Sequence, residues 1–337
     1  MSGLYKGMYL WILLLCCAAF SGCPAQQPYG TGQLRLSGTI PLPGVKGRID
    51  HLDINLRDRV VYVAALGNNT VEVVDLTNGK IVKSIPGMDE PQGVGYIPQT
   101  REIIVANGGT GDCFFFNTAT FEKVATVHLG SDADDVRYDS AEMKIYVGYG
   151  KGGIAVIDAL THRQVEDIKL PAHPESFQLD KALKLLFVNL PDAHMVGVVD
   201  LGKSLLVGKW EKSMASANFP MALDSGRHRV FVGYRHPAQL VVYDGRVGKI
   251  LASEEMAGDA DDLYYDSRSG KVLVSGGAGA VSIFQEAADG AYKQTANIPT
   301  RSGARTSLLV PELRMLIVAA REASGKSAEL MIYQLPQ

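Results

Sequence analysis

The sequence predicts an all-β fold in which one strand-rich unit is repeated seven times, and two observations support this. A short apolar segment ending in a polar residue recurs at Asp75, Asn117, Asp158, Asp200, Asp244, Gln285 and Gln334. The steps between these positions are 42, 41, 42, 44, 41 and 49 residues, and strand-rich repeats of about 40 residues are typical of β-propeller blades. In addition, Gly makes up 36 of the 337 residues, which indicates many tight turns.

The first unit shows how four strands fit into one repeat. Apolar segments at residues 52–55, 60–64, 71–76 and 81–85 are separated by polar turns, and Asn78-Gly79 is a hairpin signal. No stretch of the mature chain has a convincing helical period. Each unit is therefore predicted to be a four-stranded antiparallel blade.

The last unit contains only three strands, near residues 306–310, 315–319 and 329–333. Residues 34–40 match the pattern of the fourth strand at residues 81–85. We therefore expect the N-terminal strand to complete the last blade, which removes the open edge of the ring. The prediction is a single seven-bladed β-propeller over residues 33–337.

Parts of the repeat resemble the YVTN family of β-propeller repeats. The resemblance rests on Tyr62-Val63 followed by residues 69–75, on residues 104–107, and on Tyr146-Val147 with residues 156–158. It covers residues 33 to 335 approximately and implies the propeller fold. It does not imply one function, because such propellers serve as binding modules, cofactor enzymes and lipoproteins alike.

The first 22 residues are predicted to be a targeting signal. Lys6 precedes a 13-residue apolar run at residues 8–20, which is shorter than the ~20 residues that a membrane-spanning helix needs. Phe20-Ser21-Gly22-Cys23 resembles the lipobox of bacterial lipoproteins, which implies lipidation of Cys23, a tether at residues 23–32 and a place in the cell envelope. Pro24 favours the outer membrane, facing the periplasm. The alternative is an ordinary signal cut near Ala25.

The cysteines agree with an exported chain that has no disulfide. Cys16 and Cys17 leave with the signal, so two of the four cysteines remain. If Cys23 carries lipid, Cys113 has no partner, and its apolar neighbours predict a buried thiol rather than a nucleophile.

The charge balance bears on the partners. Lys and Arg number 33 and Asp and Glu 36, so the net charge is −3, and there is no basic run. This argues against nucleic acid. We expect a monomer that is held at a membrane by its N-terminal lipid and binds a protein, peptide or small-molecule ligand.

Polar residues are predicted to converge at one end of the central channel, which we call the mouth. In a propeller blade, the loop that enters the innermost strand lies on the same face as the turn between the second and third strands. The entry positions of the seven blades are Asp50, Gln92, Asp134, Glu175, Phe219, Asp261 and Arg305. Polar neighbours are His51, Asp132, Asp135, His173, Asn218, Asp259 and Asp262. Residues 131–135 and 258–262 are near copies and should face each other across the channel.

The repulsion among these carboxylates must be offset. Two carboxylates ~8 Å apart repel by about 2 kcal/mol at an effective dielectric of 20. Arg305 and backbone N–H groups are one solution. The other is a divalent cation held by Asp50, Asp134, Glu175 and Asp261, for which the oxygen donors favour Ca²⁺ or Mg²⁺.

Three function classes therefore stay open. The first is a binding module that uses the mouth. The second is a metal-dependent hydrolase or lyase, similar in architecture to propeller lactonases, with His51 or His173 as general base. The third is a redox-partner or cofactor-binding propeller, although the chain has no Cys-x-x-Cys-His motif.

The opposite face, which we call the underside, is predicted to be basic and to carry the tether. Its turns contain Arg57, Arg59, Arg101, Lys144, Lys181, Lys184, Arg227, Arg229, Arg268, Lys271 and Arg314. These cations could face an anionic membrane surface. Alternatively, they only keep the ring soluble and monomeric.

Overall fold

A computed structural model describes residues 34–210, 213–323 and 325–336, together with Met1. The predicted signal peptide, the lipidation site Cys23 and the tether lie outside this part of the chain. Within it, the structure contains 28 β-strands in seven four-stranded antiparallel sheets and one 3₁₀ turn, Leu66–Asn68. No helix among the described residues is long and apolar enough to cross a membrane.

The first four blades follow one another along the chain. Blade 1 comprises β2 (Leu52–Asn55), β3 (Val60–Ala65), β4 (Thr70–Asp75) and β5 (Lys80–Pro86). Blade 2 comprises β6 (Pro91–Ile97), β7 (Glu102–Asn107), β8 (Asp112–Asn117) and β9 (Lys123–His128). Blade 3 comprises β10 (Ala133–Asp139), β11 (Lys144–Tyr149), β12 (Gly153–Asp158) and β13 (Arg163–Lys169). Blade 4 comprises β14 (Phe177–Asp180), β15 (Leu185–Leu190), β16 (Met195–Asp200) and β17 (Leu205–Trp210).

The remaining blades repeat this order. Blade 5 comprises β18 (Ser216–Asp224), β19 (Arg229–His236), β20 (Ala238–Asp244) and β21 (Ile250–Glu255). Blade 6 comprises β22 (Ala260–Asp266), β23 (Lys271–Gly276), β24 (Ala280–Glu286) and β25 (Tyr292–Pro299). Blade 7 comprises β26 (Thr306–Val310), β27 (Met315–Ala320), β28 (Glu329–Gln334) and the N-terminal β1 (Arg35–Pro41). The predicted seven-bladed propeller is confirmed.

The ring closes as the sequence predicts. β1 lies antiparallel to β28, with Arg35 opposite Gln334 and Pro41 opposite Glu329. The third strand of a blade runs from the mouth to the underside, so Gln334 marks the underside. The chain therefore enters the propeller on the underside and reaches the mouth only after β1.

The core lies between the blades. The described residues form seven clusters of buried apolar side chains, one at each contact between neighbouring blades. The innermost strands approach closely around the axis: a Cβ added to Gly93 of β6 would lie 2.1 Å from the carbonyl oxygen of Asp134 in β10. Cys113 lies in one of these clusters as a buried free thiol, as predicted.

β1 seals blade 7 on both sides. Leu34, just before β1, packs into the cluster shared with blade 6, whereas Ile40 packs into the cluster shared with blade 1. Ile40 is 6% exposed and occupies the position that Ile85 holds in blade 1. Closure therefore depends on side-chain burial as well as on strand pairing.

We predict that Ile40→Ala lowers the free energy of unfolding by about 2–4 kcal/mol, because it removes buried methyl groups at the closing strand. Val82→Ala in the outer strand of blade 1 is the control, since Val82 is 49% exposed and its truncation should cost less than about 0.5 kcal/mol. Urea unfolding of both variants checks this. Equal losses would contradict a closing role for Ile40.

Candidate functional site

The mouth brings together the four carboxylates that the sequence predicts there. Each carboxylate lies at the start of the innermost strand of its blade or just before it: Asp50 in blade 1, Asp134 in blade 3, Glu175 in blade 4 and Asp261 in blade 6. The charges of Asp134 and Asp261 act on both Asp50 and Glu175. The four groups therefore form one electrostatic cluster.

Two of these carboxyls hold their protons unusually strongly. Burial raises the pKa of Asp50 to about 7, and the charges of Asp261 and Asp134 add to this. Burial also raises the pKa of Glu175 to about 8, again with contributions from Asp134 and Asp261. At neutral pH, Glu175 is therefore mostly protonated, and Asp50 is divided between its two forms.

Asp134 is ionised instead, because it faces His173. The Nε2 atom of His173 lies 3.9 Å from Oδ2 of Asp134, and its Nδ1–H donates to the carbonyl of Gly150 at 2.6 Å. Burial raises the pKa of Asp134, but His173 and other nearby cations outweigh it and lower this pKa. Burial lowers the pKa of His173, but Asp134, the Gly150 carbonyl and Asp132 raise it to about 9.

Asp261 is held between two arginines. Nε of Arg305 lies 2.7 Å from Oδ2 of Asp261, and the guanidinium of Arg235 contacts the other carboxylate oxygen. Arg235 also donates from Nε to the carbonyl of Ala260 at 2.9 Å and lies 3.6 Å from the ring centre of Phe219. Arg305 thus neutralises a carboxylate as expected, and Arg235 shares this role.

Below this layer, a cavity of about 290 Å³ lies inside the channel. Its polar lining includes His51, Asp53, Asp135, Arg137, Ser176, Gln178, Asp262 and Tyr264. Asp135 and Asp262 thus line the same space from blades three apart, as the near-copy segments predict. Nδ1 of His51 lies 3.4 Å from Asp262. Burial lowers the pKa of His51, but Asp262, Asp50 and Asp135 together raise it well above its ordinary value.

Asp135 has unused hydrogen-bonding capacity. Its Oδ1 accepts from Nη1 of Arg137 at 2.5 Å, and Nη2 of Arg137 donates to Ser176 at 3.0 Å. Asp135 is only 3% exposed, yet its Oδ2 makes no hydrogen bond to any described residue. An unpaired buried carboxylate oxygen costs free energy, which a ligand with a suitable donor would recover.

Gln92 and Asn218 are used differently. Gln92 donates from its side-chain amide to Asp132 at 3.2 Å, on the exposed rim. Asn218 is 1% exposed and donates to Asn189 and to the carbonyl of Met195, both at 3.0 Å. Asn218 therefore ties blade 5 to blade 4, and its amide N–H groups are not available to a ligand.

Three of the four candidate metal ligands are engaged by cationic side chains. Arg48 contacts Asp50 at 2.8 Å, His173 faces Asp134, and Arg305 contacts Asp261. Within the described residues, no group of three or more His, Cys, Asp or Glu side chains is placed to hold a metal ion. The charge repulsion expected from the sequence is offset here by Arg and His pairing and by protonation.

The role of His51 or His173 as general base stays a prediction, and the pKa values of both imidazoles bear on it. A general base accepts a proton and must be neutral beforehand. The raised pKa values of His51 and His173 keep both imidazoles protonated at neutral pH. Both act as cationic partners of carboxylates.

Sequence reasoning missed Arg48, Arg137 and Arg235. Arg137 and Asp135 are two residues apart in β10, as are His51 and Asp53 on either side of the start of β2. Alternate residues of a strand share a face, so this spacing was a usable signal for the channel lining. Arg235 lies near the end of β19, and nothing in its local sequence indicates that it reaches a neighbouring blade.

The underside is less basic than the list of its cations predicts. Arg227 pairs with Asp224 at 2.7 Å, Lys144 pairs with Glu166 at 3.0 Å, and Lys181 contacts Asp139. Arg229 also contacts Glu286, so at least four of the eleven cations predicted for this face form ion pairs among the described residues. The face is therefore a mixture of ion pairs and further cations rather than a uniform basic surface.

Comparisons with known proteins support the fold alone. No family model matches the chain, and no curated protein matches it in sequence. A chain of the mitotic checkpoint complex is 15% identical over 96% of this chain and 99% of that chain, with a TM-score of 0.76.

Two further solved structures are similar. The WD40 repeats of RRP9 are 9% identical, with 90% of this chain and 99% of that chain covered and a TM-score of 0.76. A chain of Kuenenia stuttgartiensis hydrazine synthase is 15% identical, with 82% and 95% covered and a TM-score of 0.72. These similarities support a β-propeller, a scaffold that commonly serves as a binding module.

The raised pKa of Glu175 predicts a pH-dependent stability. Between the ordinary pKa of 4.5 and about 8, the folded state binds more protons than the unfolded state, so this contribution to stability falls as pH rises. Glu175→Gln should therefore become more stable relative to wild type between pH 5 and pH 9. Urea unfolding at both pH values checks this, with the exposed Glu122→Gln as control. The same pH slope in wild type and Glu175→Gln would contradict the raised pKa.

Proposed function

We propose that this protein is an exported, lipid-anchored β-propeller that binds a protein, peptide or small-molecule ligand at the channel mouth through a cationic group on the ligand. The observation that carries the ligand class is a buried carboxylate oxygen that accepts no hydrogen bond from any described residue. Arg48, Arg235 and Arg305 are paired with carboxylates, and Nε of Arg48 is buried without a hydrogen bond to a described residue. Oδ2 of Asp135 is buried and unpaired.

The two protonated carboxyls support the same ligand class. Asp50 and Glu175 hold protons partly because Asp134 and Asp261 lie close by. An ammonium or guanidinium group placed among these four would offset the like charges and favour their ionised forms. The ligand would thus take the place of bound protons, and its binding would release them.

The position of the N-terminus supports a mouth that faces away from the membrane. Arg35 lies at the underside, opposite Gln334. A lipid on Cys23 would be joined to it by about ten residues, which reach at most ~35 Å. The underside would then lie toward the membrane. Some of its cations are paired with acidic residues, so the lipid would be the main means of attachment.

Lipidation is tested by Cys23→Ser in a Gram-negative bacterial host. We expect wild type to incorporate labelled palmitate and to sediment with membranes, and the variant to lose both properties. Cys17→Ser, within the predicted signal, is the control and should behave as wild type. Membrane association of Cys23→Ser equal to that of wild type would contradict the anchor.

Ligand class is tested by calorimetry with 1,5-diaminopentane, a mimic of a lysine side chain. We expect its affinity to rise by roughly an order of magnitude from pH 6.5 to pH 8.5, because Glu175 loses its proton in this range. Glutarate, which has the same carbon chain with carboxylates, should not bind.

Two variants test whether the diamine binds at the mouth or elsewhere on the surface. Glu175→Gln should weaken diamine binding by about tenfold at pH 8.5, because it removes a charge-assisted contact, and should flatten the pH dependence. The exposed Glu122→Gln should leave binding unchanged. Absence of diamine binding to wild type, or binding of glutarate in its place, would contradict the proposed ligand class.

A further inference from the structure

A second cavity, larger than the one inside the channel, opens on the underside. It has a volume of about 780 Å³, within the range of small-molecule sites. We call it the underside pocket. Its walls come from the β2–β3 turn of blade 1, the β6–β7 and β8–β9 turns of blade 2, and the β10–β11 turn of blade 3. It therefore lies on the face opposite the channel mouth.

One wall of the pocket is aromatic and apolar. Tyr96 lies in this wall and stacks on Tyr62, with ring centres 5.9 Å apart and planes inclined by 26°. Leu56, which is 41% exposed, and Pro98 extend the apolar surface. Tyr138 donates from its hydroxyl to Gln99 at 2.7 Å, which fixes the ring on the far side. This wall suits a flat or apolar molecular body.

Two arginines line the same pocket, and neither forms an ion pair with Asp58, the carboxylate that also lines it. Arg57 and Arg101 both lie near Tyr96 in the pocket lining. Burial raises the pKa of Tyr96 and the charge of Asp58 raises it further, whereas the charges of the two arginines lower it. Within the described residues, neither guanidinium makes a hydrogen bond or ion pair. The nearby carboxylate of Asp58 accepts instead from the side-chain amide of Asn55 at 2.8 Å. The pocket thus has two cationic donors available.

The repeat explains why these arginines are unpaired. At the last residue of the innermost strand, blades 3 to 6 carry Asp139, Asp180, Asp224 and Asp266. Three of these carboxylates pair with cations of the underside: Asp139 with Lys181, Asp180 with His228 and Asp224 with Arg227. Asp266 accepts instead from the hydroxyl of Ser269. The equivalent residues of blades 1 and 2 are Asn55 and Ile97. The neutralising carboxylate is therefore missing in the two blades that supply the arginines.

We propose that the underside pocket binds an organic anion, whose phosphate or carboxylate group contacts Arg57 and Arg101 and whose apolar body packs on Tyr96 and Leu56. Guanidinium groups bind phosphate and carboxylate oxygens through paired, charge-assisted hydrogen bonds. The source of the anionic group is either a soluble molecule or a phospholipid headgroup. The underside pocket is separate from the mouth, and the ligand proposed for it does not depend on the function proposed for the mouth.

The test measures binding of phenyl phosphate to the full propeller by calorimetry, with phenol and inorganic phosphate as partial probes. Vesicles with and without phosphatidylglycerol distinguish a headgroup from a soluble anion. We expect phenyl phosphate or the anionic vesicles to bind, and Arg57→Gln and Arg101→Gln each to weaken that binding by about tenfold or more. Arg163→Gln, an exposed arginine of the same face, is the control.

The variants should keep the melting temperature of wild type, because neither guanidinium contacts another described residue through a hydrogen bond or ion pair. Glu175→Gln at the mouth should leave phenyl phosphate binding unchanged, which separates this site from the proposed mouth ligand. Failure of wild type to bind both phenyl phosphate and anionic vesicles would overturn the proposal. So would binding that survives loss of both arginines, or inorganic phosphate binding as tightly as phenyl phosphate.

Discussion

Closure of the ring by the N-terminal strand determines where every other feature of this propeller lies. β1 pairs with β28 and buries apolar side chains on both sides of blade 7. Only a closed ring points all seven entry loops at one axis. Closure also places the start of the propeller on the underside. The mouth, the underside pocket and the direction of the N-terminus are therefore consequences of the same strand pairing.

The convergence of carboxylates at the axis causes charge repulsion, which is offset in three ways. Arginines from the same or neighbouring blades pair with carboxylates, as Arg305 does with Asp261. Protonated His173 offsets Asp134. Where cations do not suffice, Asp50 and Glu175 retain protons. The mouth is thus close to balanced but keeps unused acceptors, which is the basis for the proposed cationic ligand.

The fold could be predicted almost completely from the sequence, because strand alternation and the recurring hairpin turns are local signals that repeat seven times. The pairing of β1 with β28 was also predictable, since residues 34–40 match residues 81–85.

The site was predicted only in part. Entry positions follow from the repeat, so Asp50, Asp134, Glu175 and Asp261 were found. Arg235 was not found, and the hydrogen bonds of Asn218 to blade 4 were not predicted, because both depend on contacts between blades. The underside pocket was missed because a list of cations does not show which of them are paired.

The protonation state of Glu175 shows whether carboxyls from separate blades are forced together at a closed axis. Carbon-13 labelling of glutamate side chains allows each carboxyl to be titrated by NMR, and Glu175→Gln identifies the resonance. We predict that the resonance absent from this variant has a midpoint near 8. A midpoint below about 5, near the ordinary value for glutamate, would show that the mouth carboxylates do not crowd one another, and the account of the mouth would be wrong.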